Sequence, residues 1–201
     1  MYGRLLQSIS KSCTQNELSY LEHLIELRCE INEENYNASA PQIRPTLVFD
    51  NWLYLGDVVH ASNVTLLKNL RITHILNVSG DDCPLLTDSR LMKEFKIMQI
   101  PLDDKVHCDI QQYFDKTNQF LHDAYTNGKH RVLVHCKCGV SRSTAIVLAY
   151  LIKHHNQPLE QAYLALASKR PQISPNLGFL LQLRRYELEL KQTKAEDMTD
   201  S

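Results

Sequence analysis

The sequence predicts an α/β domain in which helices cover a central sheet. Short runs of β-branched and aromatic residues alternate with stretches of helical periodicity, and the C-terminal part of the chain is rich in helical patterns. The chain has 201 residues, of which 43% are hydrophobic and 22% charged, with no internal repeat. One domain with a full core, together with an extension, is the expected organisation.

The first predicted element lies in an N-terminal extension, residues 1–44. Thr14 and Glu17 have the spacing of a capping box. Apolar side chains then recur at helical intervals: Tyr20, Leu24, Leu27 and Ile31. Residues 15–32 are therefore predicted to form an amphipathic helix that docks on the domain. A linker is predicted over residues 32–41, which contain a proline and several poor helix formers.

Four segments of the following region are predicted to contain strands. The runs "TLVFDNWLYLG" and "ITHILNVSG" end at Gly56 and Gly80, and "FKIMQIP" is stopped by Pro101. The fourth run, "RVLV", is short, apolar and followed at once by a cluster of reactive side chains. Such short apolar runs are typical of strands buried inside a domain.

Helices are predicted between and after these strands. Two segments have a continuous apolar face, and two others follow Pro158 and Pro175, where a helix can begin. The four segments are residues 110–124, 145–152, 159–166 and 179–190. The final stretch, residues 191–201, has one strong hydrophobe and is predicted to be a disordered tail.

Charge and hydropathy argue against several classes of partner. The net charge of -1 and the pI of about 6.7 do not fit nucleic acid as the main ligand. No membrane anchor is expected, because the chain has no long apolar run, no signal-peptide core and Tyr2 in place of a glycine that could be myristoylated. A cytoplasmic or nuclear location is expected, with the six cysteines reduced.

The most distinctive stretch is "VHCKCGVSRS", residues 134–143, where a strand runs into a short loop and then into a helix. Helix N-termini favour anions, and Gly139 gives the loop the freedom to curl around a tetrahedral phosphate. Arg142 can bind two phosphate oxygens, and its charge, the amides and the helix dipole together stabilise a Cys136 thiolate. The loop residues predicted to bind phosphate between Cys136 and Arg142 are Lys137, Cys138, Gly139, Val140 and Ser141.

Two other chemistries are possible for the cysteines of this loop. A zinc site is disfavoured, because His135, Cys136 and Cys138 lie too close in sequence to supply three tetrahedral ligands and no second ligand pair follows. No metal is therefore expected. The side chain of Cys138 is predicted to turn away from the phosphate into neighbouring structure, and a strained disulfide between Cys136 and Cys138 is the alternative.

These residues resemble a known family. His135-Cys136, five further residues and Arg142-Ser143 match the HC-x5-R-[ST] signature of cysteine-dependent phosphatases, and the "GVSRS" form is similar to the dual-specificity protein phosphatases. The resemblance covers roughly residues 45–190 and includes "YLGD", "ITHILNVS", "IPLDD" and "RPQISPNLGFLLQLRRYE", as in atypical members without a kinase-docking domain. The slingshot phosphatases share the "HCK-GVSRS" sequence. The implied fold is that of the protein tyrosine phosphatases, with a central, mainly parallel mixed sheet.

The resemblance also implies roles for individual residues. Cys136 is the expected nucleophile, which forms a cysteinyl-phosphate while Arg142 and the loop amides hold the negative charge without a cofactor or metal. Ser143 resembles the hydroxyl that helps the thiolate depart in the second step. His135 is expected to be a structural residue that hydrogen-bonds near the cysteine.

The leaving group needs a proton from a carboxylic acid above the loop. The stretch "IPLDDKVHCDI" offers Asp103, Asp104 and Asp109, and chemistry alone does not choose among them. In the family the acid lies ten residues before an aromatic residue, and counting back from Phe114 indicates Asp104. Asp103 and Asp109 are then expected to be loop or N-cap residues.

The implied function is hydrolysis of phosphotyrosine, phosphoserine and phosphothreonine in proteins, with phosphorylated proteins, kinases among them, as partners. Two alternatives stay open: a phosphoprotein-binding module with little turnover, and a lipid or glucan phosphatase on the same fold. Against the first, the chain keeps Cys136, Arg142 and an acid. Against the second, lipid-directed loops carry several lysines, whereas Lys137 is the one basic residue between Cys136 and Arg142.

Overall fold

A five-stranded sheet forms the centre of the structure, a computed structural model that describes residues 9–34, 42–79 and 91–199. The strands are β1 (Thr46–Phe49), β2 (Leu53–Gly56), β3 (His74–Asn77), β4 (Lys96–Gln99) and β5 (Val132–His135). Their order is β1-β2-β5-β3-β4; β1 and β2 are antiparallel, and the other neighbours are parallel. The predicted α/β fold with a mainly parallel mixed sheet is confirmed.

Helices flank this sheet. Each of the four segments predicted to be helical, residues 110–124, 145–152, 159–166 and 179–190, contains an α-helix. The α-helices are α1 (Gln15–Glu34), α2 (Val58–Ser62), α3 (Val64–Asn69), α4 (Leu91–Glu94), α5 (Phe114–Thr126), α6 (Arg142–His155), α7 (Leu159–Lys169) and α8 (Leu177–Thr199). Short 3-10 helices span Ser10–Ser12 and Gln111–Tyr113. No helix in the described part of the chain is both long and apolar enough to cross a membrane.

Both faces of the sheet are buried, which explains the continuous apolar character of its central strands. Successive side chains of a strand point to opposite faces. Tyr54 and Leu133 belong to a small core with residues of α2 and α3, whereas Leu55 and Val134 belong to a larger core with residues of α5, α6 and α8. Parallel strands covered on both sides carry apolar residues on both faces.

The sheet brings two functional segments to the same edge. The carboxyl end of β5 leads into residues 136–141, and α6 begins directly after them. Two positions away in the sheet, β4 leads into residues 100–110, which contain the candidate acids. Because β3, β4 and β5 run parallel, both segments leave the sheet at its carboxyl edge, where open α/β sheets bind ligands.

The predicted N-terminal helix is confirmed as α1, which extends two residues beyond the predicted end. Its capping box forms: the Thr14 backbone N–H donates to Glu17 Oε2 at 2.8 Å, and the Glu17 N–H donates to Thr14 Oγ1 at 3.3 Å. Leu21 and Leu24 are fully buried in the main core. The helix therefore docks on the domain as expected, while most of the predicted linker, residues 35–41, lies outside the described residues.

The predicted disordered tail over 191–201 is corrected by the structure. Helix α8 continues to Thr199, so residues 191–199 are helical, and residues 200–201 lie outside the described range. The prediction relied on the lack of hydrophobic residues. An established helix can extend without them, because good helix formers follow and Lys191 pairs with Glu187 one turn earlier at 2.7 Å.

Candidate active site

Cys136 lies at the base of the loop between β5 and α6. Cys136 is 1% exposed, and the Ser143 hydroxyl donates a hydrogen bond to Cys136 Sγ at 3.2 Å. The loop turns sharply at Gly139, where φ is +65°, a value that favours glycine. A Cβ atom there would lie 2.5 Å from the Gly56 carbonyl oxygen, so only glycine fits between the loop and the end of β2.

Groups outside the loop hold its carbonyl oxygens. The Gly139 carbonyl accepts from Nε of the buried Arg170 at 2.9 Å. The Lys137 carbonyl accepts from the Val58 N–H at 3.2 Å, and the Val140 carbonyl accepts from the Ser174 N–H at 2.9 Å. These bonds fix the loop backbone from its outer side, as an anion-binding nest requires.

Arg142 opens α6 and reaches over the site. Its Nη1 donates to the Leu102 carbonyl oxygen at 3.0 Å, and its Nε lies 3.8 Å from Asp104 Oδ2. The Nε atom is buried without a hydrogen-bond partner. A guanidinium held at one end with a donor unused at the other is well placed to receive an anion.

Of the three candidate acids, Asp104 is the one that contacts the loop. Its Oδ1 accepts from the Ser141 hydroxyl at 2.7 Å and from Asn176 Nδ2 at 2.8 Å. Asp103 instead pairs with Lys105 at 2.5 Å, and the hydrogen bond from that ammonium lowers the pKa of the Asp103 carboxyl. Asp109 lies in the loop one residue before Ile110, the N-cap of the 3-10 helix, and its Oδ1 accepts from the Gln112 N–H at 3.2 Å.

His135 and Cys138 occupy very different surroundings. Burial lowers the pKa of His135 to about 4, so its ring is neutral near pH 7, as suits a structural residue. The prediction that Cys138 turns into neighbouring structure is wrong, because its side chain is exposed. The loop reaches the surface at Lys137 and Cys138 before Gly139 packs beneath Gly56, which leaves Cys138 on the outer turn. Both loop cysteines are free thiols in the structure, and a disulfide between them stays an untested alternative.

Sequence reasoning missed two residues that support the site, Asn176 and Arg170. Asn176 caps α8, because its Oδ1 accepts from the Phe179 N–H at 3.0 Å, and its position after Pro175 could have indicated that cap. Its contact with Asp104 spans 72 residues of sequence and leaves no local signal. Arg170 is 1% exposed, and its guanidinium bridges the loop to Gln42 at 2.7 Å.

Metal-binding side chains are not gathered anywhere in the described ranges. Within residues 9–34, 42–79 and 91–199, no group of three or more histidine, cysteine, aspartate or glutamate side chains is arranged to hold a metal ion.

Comparison with known proteins identifies the family of the domain. Residues 53–189 match the family described as dual specificity phosphatase, catalytic domain. The chain is 36% identical over 177 residues to Dual specificity protein phosphatase 1 of Arabidopsis thaliana, across 88% of this chain and 82% of that protein. It is 38% identical over 148 residues to Protein phosphatase Slingshot homolog 3 of Mus musculus, across 74% of this chain but only 22% of that longer protein.

A solved structure agrees with these sequence matches. The mouse putative dual specificity phosphatase complexed with zinc tungstate superposes with a TM-score of 0.66 at 30% identity, across 78% of this chain and 94% of that one. The matched region holds the loop, Arg142, Asp104 and Asn176 described above. The chain therefore belongs to the dual specificity phosphatase family, and residues 53–189 are its catalytic domain.

Proposed function

We propose that this protein hydrolyses phosphotyrosine, phosphoserine and phosphothreonine in phosphorylated proteins through a cysteinyl-phosphate intermediate on Cys136. One observation carries the proposal: the buried Cys136 thiol lies at the base of a rigid loop, and Arg142 and Asp104 lie beside that loop, 3.8 Å apart. A nucleophile, an anion-binding group and an acid are thereby assembled in one place.

The loop and Arg142 bind the phosphoryl group. The loop amides and the N-terminal end of α6 supply partial positive charge, and Arg142 contributes its buried, unpartnered Nε. Because these donors are fixed before substrate arrives, they hold the charge of the transition state with little reorganisation. The mouse relative was crystallised with zinc tungstate, and tungstate is a tetrahedral oxyanion like phosphate, so a protein of this fold takes up such an anion.

In the first step the Cys136 thiolate attacks phosphorus in line with the leaving oxygen. A sulfur–phosphorus bond forms, and the bond from phosphorus to the phenol or alcohol oxygen breaks. Asp104 gives its proton to that oxygen. The hydrogen bonds from Ser141 and Asn176 both fall on Oδ1, which leaves Oδ2 to carry the proton.

In the second step water attacks the phosphorus of the intermediate. Asp104, now a carboxylate, takes a proton from that water, and the sulfur–phosphorus bond breaks. The electron pair returns to Cys136, where the Ser143 hydroxyl donates its hydrogen bond to the departing thiolate. The products are inorganic phosphate and the starting enzyme.

The exposure of the loop supports action on both long and short phosphorylated side chains. Lys137 and Cys138 are exposed at its outer turn, and the Asp104 side chain is 37% exposed. An acid exposed beside the loop fits a shallow entrance, which admits the short stem of phosphoserine or phosphothreonine as well as phosphotyrosine. Phosphorylated proteins in the cytoplasm or nucleus, kinases among them, are the proposed substrates.

A substrate panel tests this function. We expect purified protein to hydrolyse phosphotyrosine and phosphothreonine peptides, and p-nitrophenyl phosphate slowly, all in the presence of a chelator. The reason is that every group in the proposed reaction belongs to the chain. Release of inorganic phosphate is the measurement, with a phosphoinositide panel assayed alongside. A strong preference for an inositol phosphate, or loss of activity to the chelator, would contradict the proposal.

A further inference from the structure

Helix α1 carries a buried charged side chain, Arg28, that reaches the segment between α7 and α8. Arg28 is 9% exposed, and its Nε donates to the Ile173 carbonyl oxygen at 2.8 Å. Its Nη2 donates to the Pro171 carbonyl at 2.5 Å and also to that of Ile173. Arginine is seldom buried without such acceptors, because its charge must be compensated. The helix precedes residues 53–189, which match the family, so the family signature does not account for Arg28.

The acceptors of Arg28 belong to the connection between α7 and α8, residues 171–176, whose other polar groups reach the active site. The Ser174 N–H donates to the Val140 carbonyl at 2.9 Å. The Asn176 N–H donates to the Ser141 hydroxyl oxygen at 3.1 Å, and Asn176 Nδ2 donates to Asp104 Oδ1 at 2.8 Å. The connection is therefore bound by α1 on one side and by the loop and the acid on the other.

We propose that Arg28 is a positioning residue for Asp104, acting through the 171–176 connection. By holding the carbonyls of Pro171 and Ile173, it fixes the backbone that places Asn176, and Asn176 in turn fixes the carboxyl group of Asp104. The inference rests on the proposed function, in which Asp104 protonates the leaving group. It gives the N-terminal helix a part in the reaction although the helix touches no reacting atom.

The acid depends on this connection more than the phosphate-binding loop does. The loop is also held by β5 and α6, which it joins directly, and by the Val58 N–H, which donates to the Lys137 carbonyl. Asp104 Oδ1 accepts from Ser141 and Asn176, and both of these donors are tied to the connection. A shift of the connection therefore displaces the acid first. Displacement of a catalytic group by about 1 Å can cost on the order of 10²-fold in rate.

The same helix offers a matched control. Glu17 pairs with Arg185 of α8 at 2.7 Å, and the hydrogen bond from Arg185 lowers the pKa of Glu17 to about 2. That ion pair anchors α1 to α8 without touching the 171–176 connection. Glu17→Gln weakens the docking of the helix, whereas Arg28→Met removes the donors and keeps an unbranched apolar stem. The two changes separate a loss of stability from a loss of positioning.

The test compares the rates at which the full chain and its variants hydrolyse two substrates. Phenyl phosphate has a poor leaving group that needs the acid, whereas p-nitrophenyl phosphate has a good one that needs it less. We expect Arg28→Met to lower kcat for phenyl phosphate by about tenfold and for p-nitrophenyl phosphate by less than about threefold, with KM little changed. Arg28→Lys, which keeps the charge, should fall between Arg28→Met and wild type. Glu17→Gln should lower the urea midpoint and keep the wild-type ratio of the two rates.

The outcomes separate the inference from the function on which it rests. If Asp104→Asn changes the ratio of the two rates but Arg28→Met and Arg28→Lys keep the wild-type ratio, the positioning role is wrong and the function stands. An equal change of the ratio in Glu17→Gln would also overturn it, since any loosening of α1 would then suffice. If Arg28→Met does not fold, the ratio measured for Arg28→Lys decides. A wild-type ratio that Asp104→Asn does not change would contradict the proposed acid itself.

Discussion

Cys136→Ser is expected to lower turnover of p-nitrophenyl phosphate by on the order of 10⁵-fold. Serine has nearly the size of cysteine and can still accept the Ser143 hydrogen bond, so the loop should keep its shape. Its hydroxyl, however, is hardly ionised near pH 7 and is a far weaker nucleophile than a thiolate. Steady-state phosphate release gives the rate, and calorimetric binding of tungstate shows whether the anion site is intact.

The neighbouring cysteine provides the control for this change. Cys138→Ser makes the same chemical substitution two positions away, on an exposed side chain, and should keep most of the activity. The account would be wrong if Cys136→Ser kept more than about a hundredth of the wild-type rate, or if Cys138→Ser lost as much as Cys136→Ser.

Asp104→Asn is expected to lower turnover by on the order of 10²-fold, with tungstate binding close to wild type. The amide oxygen of asparagine can still accept from Ser141 and Asn176, so the surroundings should persist. What is lost is the proton for the leaving oxygen. Steady-state kinetics with phenyl phosphate, whose leaving group depends most on that proton, is the sharpest measurement.

Asp103→Asn is the matched variant for the acid. Asp103 is adjacent in sequence but pairs with Lys105 in an exposed position, so its loss should change turnover by less than about threefold. A large loss in Asp103→Asn together with an unchanged rate in Asp104→Asn would reassign the acid to Asp103.

The core of the site could be predicted because its parts are contiguous in sequence. Cys136, the five loop residues and Arg142 follow one another between a strand and a helix, so local pattern and chemistry together indicate an anion site. The strands were equally accessible, since short apolar runs ended by glycine or proline are a local signal. The acid needed the spacing known from the family, because three carboxyl groups lie in one loop.

The supports of the site could not be predicted, because each joins distant parts of the chain. Asn176 and Asp104 are 72 residues apart, and Arg28 and Ile173 are 145 apart. The sequence around a buried arginine or a capping asparagine does not indicate which distant residue it contacts. The packing of α1 on α7 and α8 brings Arg28 to Ile173, and the sheet places the segment that contains Asp104 at the edge where Asn176 meets it.

The two wrong predictions have a common cause. The exposure of Cys138 and the helix over residues 191–199 both depend on the structure that adjoins the segment and not on the segment's own composition. A small apolar side chain suggests burial, and a polar stretch suggests disorder, when composition alone is considered. The loop's surface turn decides the first case, and propagation of an established helix decides the second.

The proposed reaction depends on the cysteinyl-phosphate formed on Cys136, and this intermediate can be trapped. Ser143→Ala removes the hydroxyl that donates to Cys136 Sγ, which should slow departure of the thiolate more than its attack and let the intermediate accumulate. Rapid mixing with p-nitrophenyl phosphate, an acid quench, digestion and mass spectrometry locate the phosphoryl group. We expect a burst of about one p-nitrophenol per enzyme and one phosphoryl group on the peptide that contains Cys136. A linear time course with unmodified peptides, or a phosphoryl group on any other residue, would contradict it.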